Sequence, residues 1–496
     1  MTSKFLCFYF FVLTFWSLTA CSRRNQTNLP SLSRPQMRED IAYLNKKLEK
    51  LYPGLGHYGS QKAYDNHRDS LVAQLPDSLT YRDFFKRIAP LVNSQKDGHL
   101  GLYQRKKLTD KNTPYLPFIL REVAGKYYVA LNGSADSTLW RGTELLAIEG
   151  QPLSELHTLL ADNFRGGADA DITTGRMFRT LNAFPLYYNA WFGVKDSLLV
   201  RYIGVDSAAV ATGDTLQKFV VNQTNKDLNG YLKKRYPKDL DSRKNLSLTK
   251  IDSTIDGVVL RVSSFSKFPK GDFFNAKFKR KLRQQFRQTK EKNYQNLVID
   301  LRGNSGGSVA NSGYLLSYLL PEPFSVFREE TLKPGAVLPY ITTPPNPISP
   351  VAFFLTHHRD RTTGLWRTNK DKKKDYKPNK KYGYRNNLYL LVNGASFSAS
   401  VSVLSHLRDR GIGKIVGEAP GGAYWGDFAA RFKIITLPNS KLRIRIPLKT
   451  MYHDVKPLED PEIKPDLPVS RTYEDIVTPG RDYGLEYVKS LIRAQR

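Results

Sequence analysis

Apolar residues near the start of the chain recur at helical spacing. Ile41, Leu44, Leu48 and Leu51 share one face, and Phe84, Phe85, Ile88 and Leu91 form a second set after the turn-like Pro76-Asp77-Ser78. Residues 37–110 are therefore expected to form a helical N-terminal unit after a polar linker over 21–36. From 115 to about 225 the pattern changes to short β-like runs, such as Tyr127-Tyr128-Val129-Ala130-Leu131 and Leu198-Leu199-Val200-Arg201-Tyr202-Ile203. A polar, Lys-rich stretch then leads to a region where apolar runs and amphipathic segments alternate. The runs are Val258–Val262, Leu297–Leu301, Leu388–Val392 and Lys414–Gly417, with helices predicted near 309–320 and 398–410. Buried β-branched runs separated by helices predict a largely parallel sheet over 250–475. A last helix is expected within 476–496, so the fold class is α+β multidomain.

Composition narrows the compartment. The chain has 496 residues, 40% of them hydrophobic, with two Cys and eight His, which excludes a disulfide scaffold and a four-cysteine zinc site. The apolar run from Phe5 to Leu18 is short for a membrane span and fits a secretory signal over 1–20. It ends in Leu18-Thr19-Ala20-Cys21, which resembles the lipobox of bacterial lipoproteins. That resemblance implies lipidation at Cys21 and a bacterial cell-envelope protein, periplasmic or outer-membrane, tethered to a membrane by its lipid.

The net charge is +30, and residues 267–292 and 358–385 supply +16 of it. In the first segment Phe274, Phe278, Leu282 and Phe286 recur every four residues, the mark of an amphipathic helix with a solvated basic face. An exported protein seldom meets nucleic acid, so no nucleic-acid partner is expected.

Two turns in the last region carry candidate chemistry. Asp300-Leu301-Arg302-Gly303-Asn304-Ser305-Gly306-Gly307 follows a buried strand and precedes a helix, so its backbone N–H groups suit a developing oxyanion. Asn393-Gly394-Ala395-Ser396-Phe397-Ser398-Ala399-Ser400 has the same setting, and a Ser there is exposed at the carboxyl edge of the sheet. A Ser at a helix start is also commonly only a cap.

Taken together, these two turns, followed by Val416-Gly417-Glu418, resemble peptidase family S41 of C-terminal processing and tricorn-like serine proteases. The segment 142–153 resembles the strand-turn of a PDZ-type module, which makes 115–225 PDZ-like. The resemblance implies a crotonase/ClpP-like S41 catalytic core. It also puts the nucleophile at Ser398 and the oxyanion donors at Ala399 with Gly306 or Gly307. The Ser-Lys branch needs a lysine in the turn 418–425, where none stands. The tricorn-like branch implies His99, in Asp97-Gly98-His99, as the base and Glu459 as its orienting carboxylate. A polypeptide substrate, no metal and no cofactor follow from that branch. The alternative is a catalytically inactive S41-like protein that binds a peptide or another ligand.

Overall fold

The computed structural model describes residues 31–103, 112–164, 168–205, 211–237, 246–266, 275–342, 349–369 and 375–495. The segment 1–20, Cys21 and Phe274 lie outside the described residues. Helix α1 (Arg34–Leu51) starts at a capping box between Ser33 and Gln36 and buries Met37, Ile41, Leu44, Leu48 and Leu51. Helix α2 (Gln61–Ala73) is capped by Ser60, and α3 (Tyr81–Asn93) by Thr80. The buried face of α3 includes Phe84, Phe85, Ile88 and Leu91. The chain then runs through the buried Asp97 and His99 into a short strand, β1 (Gly101–Tyr103).

The middle region holds an antiparallel sheet made of β2 (Phe118–Val123), β3 (Lys126–Asn132), β4 (Glu144–Ile148), β5 (Ser197–Val205) and β6 (Ala211–Val221), in the order β6-β5-β4-β3-β2. After β4 the chain turns at Glu149-Gly150, both at positive φ, and enters helix α4 (Leu153–Asn163). The β-like reading of 115–225 misses two further helices, α5 (Thr173–Asn182) and α6 (Phe184–Phe192). Their aromatic residues suit strands by propensity, but tertiary packing decides otherwise. Tyr187 stacks on Phe164 at 4.4 Å, and Trp191 meets Phe85 of α3 edge-on at 6.4 Å. Pro185 fits the first turn of α6, where its missing N–H costs nothing.

The last region contains two six-stranded sheets and a short two-stranded pair of 324–325 with 375–376. The first runs β7 (Leu246–Lys250), β8 (Gly257–Val262), β9 (Asn296–Asp300), β13 (Asn387–Val392), β14 (Lys414–Gly417) and β17 (Leu467–Pro468), and every pairing except β7·β8 is parallel. Strand alternation sorts its side chains onto two faces. Leu297, Ile299, Leu388 and Leu390 join the cluster beneath helices α7 (Ala276–Glu291), α8 (Val309–Leu319) and α9 (Ala399–Asp409). Val298, Tyr389 and Leu391 pack with Val488 and Ile492 of α10 (Tyr483–Ala494). Phe278, Leu282 and Phe286 are the buried stripe of the basic helix α7, as their spacing predicts.

The second sheet joins β10 (Phe327–Leu332), β11 (His357–Arg359), β12 (Trp366–Thr368), β15 (Gly426–Thr436) and β16 (Arg443–His453) in the order β11-β12-β10-β16-β15. Strand β1 from the N-terminal unit adds to β16, with Gly101 opposite Arg445. Asp40 of α1, fully buried, accepts the N–H groups of Asn439 and Ser440 in the β15–β16 turn, each at 2.8 Å. The N-terminal unit is thus clamped to this hairpin at two places. No helix among the described residues is long and apolar enough to cross a membrane.

Candidate active site

Ser398 occupies the junction between β13 and α9 with φ 54° and ψ −118°. A non-glycine residue rarely adopts that conformation, and the surrounding packing has to sustain its strain. The serines on either side are committed to structure. Ser396 Oγ donates to the Leu301 carbonyl and Ser400 Oγ to the Asn304 carbonyl, both at 2.9 Å, and both residues are fully buried. Ser398 alone of the three lines a cavity of about 660 Å³, together with His99, Gly307, Phe397 and Phe432.

The glycine turn lies against Ser398. Gly306, at φ +96°, has room for no side chain, because a Cβ there would stand 2.8 Å from Ser398 Cβ and 3.0 Å from Ala399 N. Its own N–H donates to Asn304 Oδ1 at 2.9 Å, so Gly306 is not the free oxyanion donor that the sequence left open. Gly307 lines the cavity, and Ala399 opens α9.

His99 comes from the N-terminal unit, delivered by the pairing of β1 with β16. Its ring packs on Phe397 at 4.5 Å and on Phe432 at 6.0 Å. Around it lie three buried carboxyl groups that the sequence did not single out. Asp97 accepts the His99 N–H at 2.7 Å and the Tyr52 hydroxyl at 2.9 Å. Asp169 accepts the Gly98 N–H at 2.9 Å. Asp427, the second residue of β15, accepts the Ser398 hydroxyl on Oδ2 at 3.1 Å, and His99 Nε2 lies 4.0 Å from the same oxygen. Asp427 Oδ1 and His99 Nδ1 are buried without hydrogen-bond partners.

The electrostatics follow from burial. Loss of water pushes Asp427 up to about 7, with the Asp97 charge adding to the rise and the Ser398 hydroxyl opposing it. Burial likewise raises Asp97 against the hydrogen bonds it accepts, and raises Asp169 well above the carboxylate range with help from Asp97. The His99 imidazole is held down at about 3 by burial and then by the Arg445 and Arg179 cations, so it is neutral at physiological pH. Burial and mutual repulsion thus favour the protonated form of these three carboxyls beside a neutral imidazole.

Glu459 is not part of this cluster. It is an exposed residue of the loop between β16 and β17 and does not line the cavity. Asp427 and Asp97 take the place beside His99 that the resemblance assigned to it. Lys414 is exposed at the start of β14, and the cavity has no lysine in its lining. His453 is buried elsewhere, with Nδ1 against the Tyr424 carbonyl and its ring on Phe327. His57 packs among Tyr58, Trp425 and Phe428.

Asp97, His99 and Asp169 bring possible metal-ligand atoms within 4.8 Å of one another. Both carboxyl groups already accept hydrogen bonds from backbone N–H groups or from Tyr52, a donor set that suits a hydrogen-bonded network better than a cation.

Residues 257–469 match peptidase family S41. This segment of the chain is similar to a family of serine-type peptidases. The S41 match begins at β8 and ends just after β17, so it includes Ser398, the glycine turn and Asp427 but not His99. Among solved structures the chain is similar to mature CPAF, with a TM-score of 0.61 and 15% identity over 93% of this chain and 97% of that one. It is also similar to mature CPAF complexed with lactacystin, with a TM-score of 0.63 and 16% identity over 93% and 98%. At such identities the likeness speaks to the fold. No curated protein sequence matches the chain.

The remaining parts of the S41 site are supplied by close docking of the middle region. Asp169 N–H donates to the Gly421 carbonyl at 2.8 Å, and Thr174 Oγ1 to the Ala419 carbonyl at 3.0 Å. A Cβ on Gly175 would sit 2.4 Å from Gly421 Cα, so only glycine permits this approach of α5 to the turn.

Proposed function

We propose that the protein is an envelope-tethered serine endopeptidase, anchored through a lipid on Cys21, that cleaves polypeptides through an acyl-enzyme on Ser398. The observation that carries this reading is the strained Ser398 backbone at a cavity wall, with its hydroxyl held by Asp427 and both neighbouring serines locked away. As Ser398 Oγ attacks the peptide carbonyl, its proton passes to Asp427, whose raised pKa near 7 makes it an effective base at neutral pH. His99 Nε2, beside the same oxygen, is placed to accept a hydrogen bond from the protonated Asp427, which returns the proton to the leaving amine. The N–H groups of Gly307 and Ala399 receive the oxyanion. Water then attacks the ester carbonyl and gives a proton to Asp427, which passes it to Ser398 Oγ as the acyl–oxygen bond breaks and the acid is released. The PDZ-like module is assigned the presentation of the substrate chain.

The test is fluorophosphonate labelling of residues 22–496, beside Ser398→Ala and His99→Ala. Labelling at Ser398 in the wild type and none in Ser398→Ala is expected, with His99→Ala strongly slowed. A folded wild type that is never labelled sinks the peptidase reading and favours an inactive, ligand-binding S41 protein.

A further inference from the structure

Two arginines from different regions converge on the wall of the Ser398 cavity. Arg179 belongs to α5 and Arg445 to β16, and both line the cavity. Each is braced rather than neutralised. Arg179 Nη2 donates to the Ala395 carbonyl at 2.6 Å, its guanidinium lies 4.9 Å over the Phe397 ring, and its Nε is buried with no acceptor. Arg445 Nε donates to the His99 carbonyl at 3.0 Å, and its guanidinium lies 4.6 Å over Phe432. Neither forms a salt bridge among the described residues. Phe397 and Phe432 are the two rings that pack on His99, so the two cations flank the reacting groups.

Burial of Arg179 is only partly offset by the Asp169 charge, and Arg445 acts on Asp97, but neither guanidinium has a carboxylate in contact, so both keep donors for an incoming carboxylate. Tyr103, Phe164 and Tyr187 give the rest of the cavity an aromatic lining that suits the body of a peptide. We propose that Arg179 and Arg445 bind a carboxylate of the peptide substrate, carried on an acidic side chain near the scissile bond or at the chain end. This inference rests on the peptidase reading of the same cavity. It carries a second consequence, because the two cations are among the causes that hold His99 low. A substrate carboxylate would offset them in the bound state.

The experiment compares kcat/KM of the mature protein for paired fluorogenic peptides, with Glu replaced by Gln at each position flanking the scissile bond, and with free against amidated C-termini. A charged pair of this kind predicts about tenfold to hundredfold preference for the carboxylate in one series, which identifies its source. Arg179→Gln and Arg445→Gln bring that ratio towards one, and the Lys variants restore part of it. The ratio is taken within one enzyme, so a loss of folded protein cancels. Equal rates for every pair in the wild type, or an unchanged ratio in both Gln variants, overturn the proposal. Binding of the same peptides to Ser398→Ala, read by fluorescence anisotropy, separates this inference from the peptidase reading. Equal Kd values for charged and neutral peptides overturn it even in a catalytically silent protein, and a carboxylate preference there upholds it after the peptidase reading has failed.

Discussion

The two sheets of the S41 region were built by different means. In the parallel sheet, β8, β9 and β13 are short apolar runs, each with its helix next in sequence, and Ser398 lies between β13 and its helix. The antiparallel sheet draws on 101–103, 327–332, 357–368 and 426–453, and it supplies Asp427 and Arg445 and positions His99. Ser398 is thus placed by local order, whereas the groups around its hydroxyl depend on long-range assembly. Of the two, the assembled half is the one on which catalysis hangs most delicately, because its geometry is set by strands far apart in the chain.

The sharpest way to break the comparison is Asp427→Asn, which leaves the parallel sheet and Ser398 in place. It is expected to lower kcat/KM on the order of 10²–10⁴-fold. The wild-type rate should rise with pH through about 7 as Asp427 ionises, and this limb should vanish in the variant. A pH profile that keeps its limb in Asp427→Asn would assign the base elsewhere.

A smaller effect separates docking from chemistry. Gly175→Ala puts a methyl against the Gly421 backbone, which should cost about 1–3 kcal/mol in stability. It should also slow fluorophosphonate labelling of the protein that remains folded by roughly tenfold, as the position of the middle region against the 419–423 turn is lost. Unchanged labelling would show that the parallel half works without that contact.

The smallest effect is on stability alone. The Asp427 carboxyl titrates near 7 when folded and near 3.8 when free, so ionisation opposes folding. Its raised folded value means that the native state holds the extra proton, and stability from this group is full below about 4 and lost as pH rises through about 7. Asp427→Asn should therefore gain on the wild type by a few kcal/mol as pH rises across that window, read as the difference between their Tm values.

The alternating faces of the parallel strands, the stripe Phe278, Leu282 and Phe286, and the strand-to-helix setting of Ser398 were determined by sequence alone, because local periodicity and neighbouring turns specify them. Which of the three clustered serines faces the cavity was settled by tertiary contacts, since Ser396 and Ser400 are tied to carbonyls about ninety-five residues away in the chain. Helix α6 was hidden by its aromatic content and α5 by its short, mostly polar sequence, and with α5 went Arg179. Asp427 sits in an ordinary-looking strand, where a signal existed only in hindsight: an acid at the second position of an otherwise largely apolar β-run, just after the glycine-rich turn 421–426. Glu459 matched by position along the chain, but the loop that carries it points to solvent. The sequence could place each residue on its own element. Only the tertiary structure could bring 97, 99, 169, 398 and 427 together, because burial and mutual charge, which give these groups their chemistry, are properties of the assembled core and not of any segment.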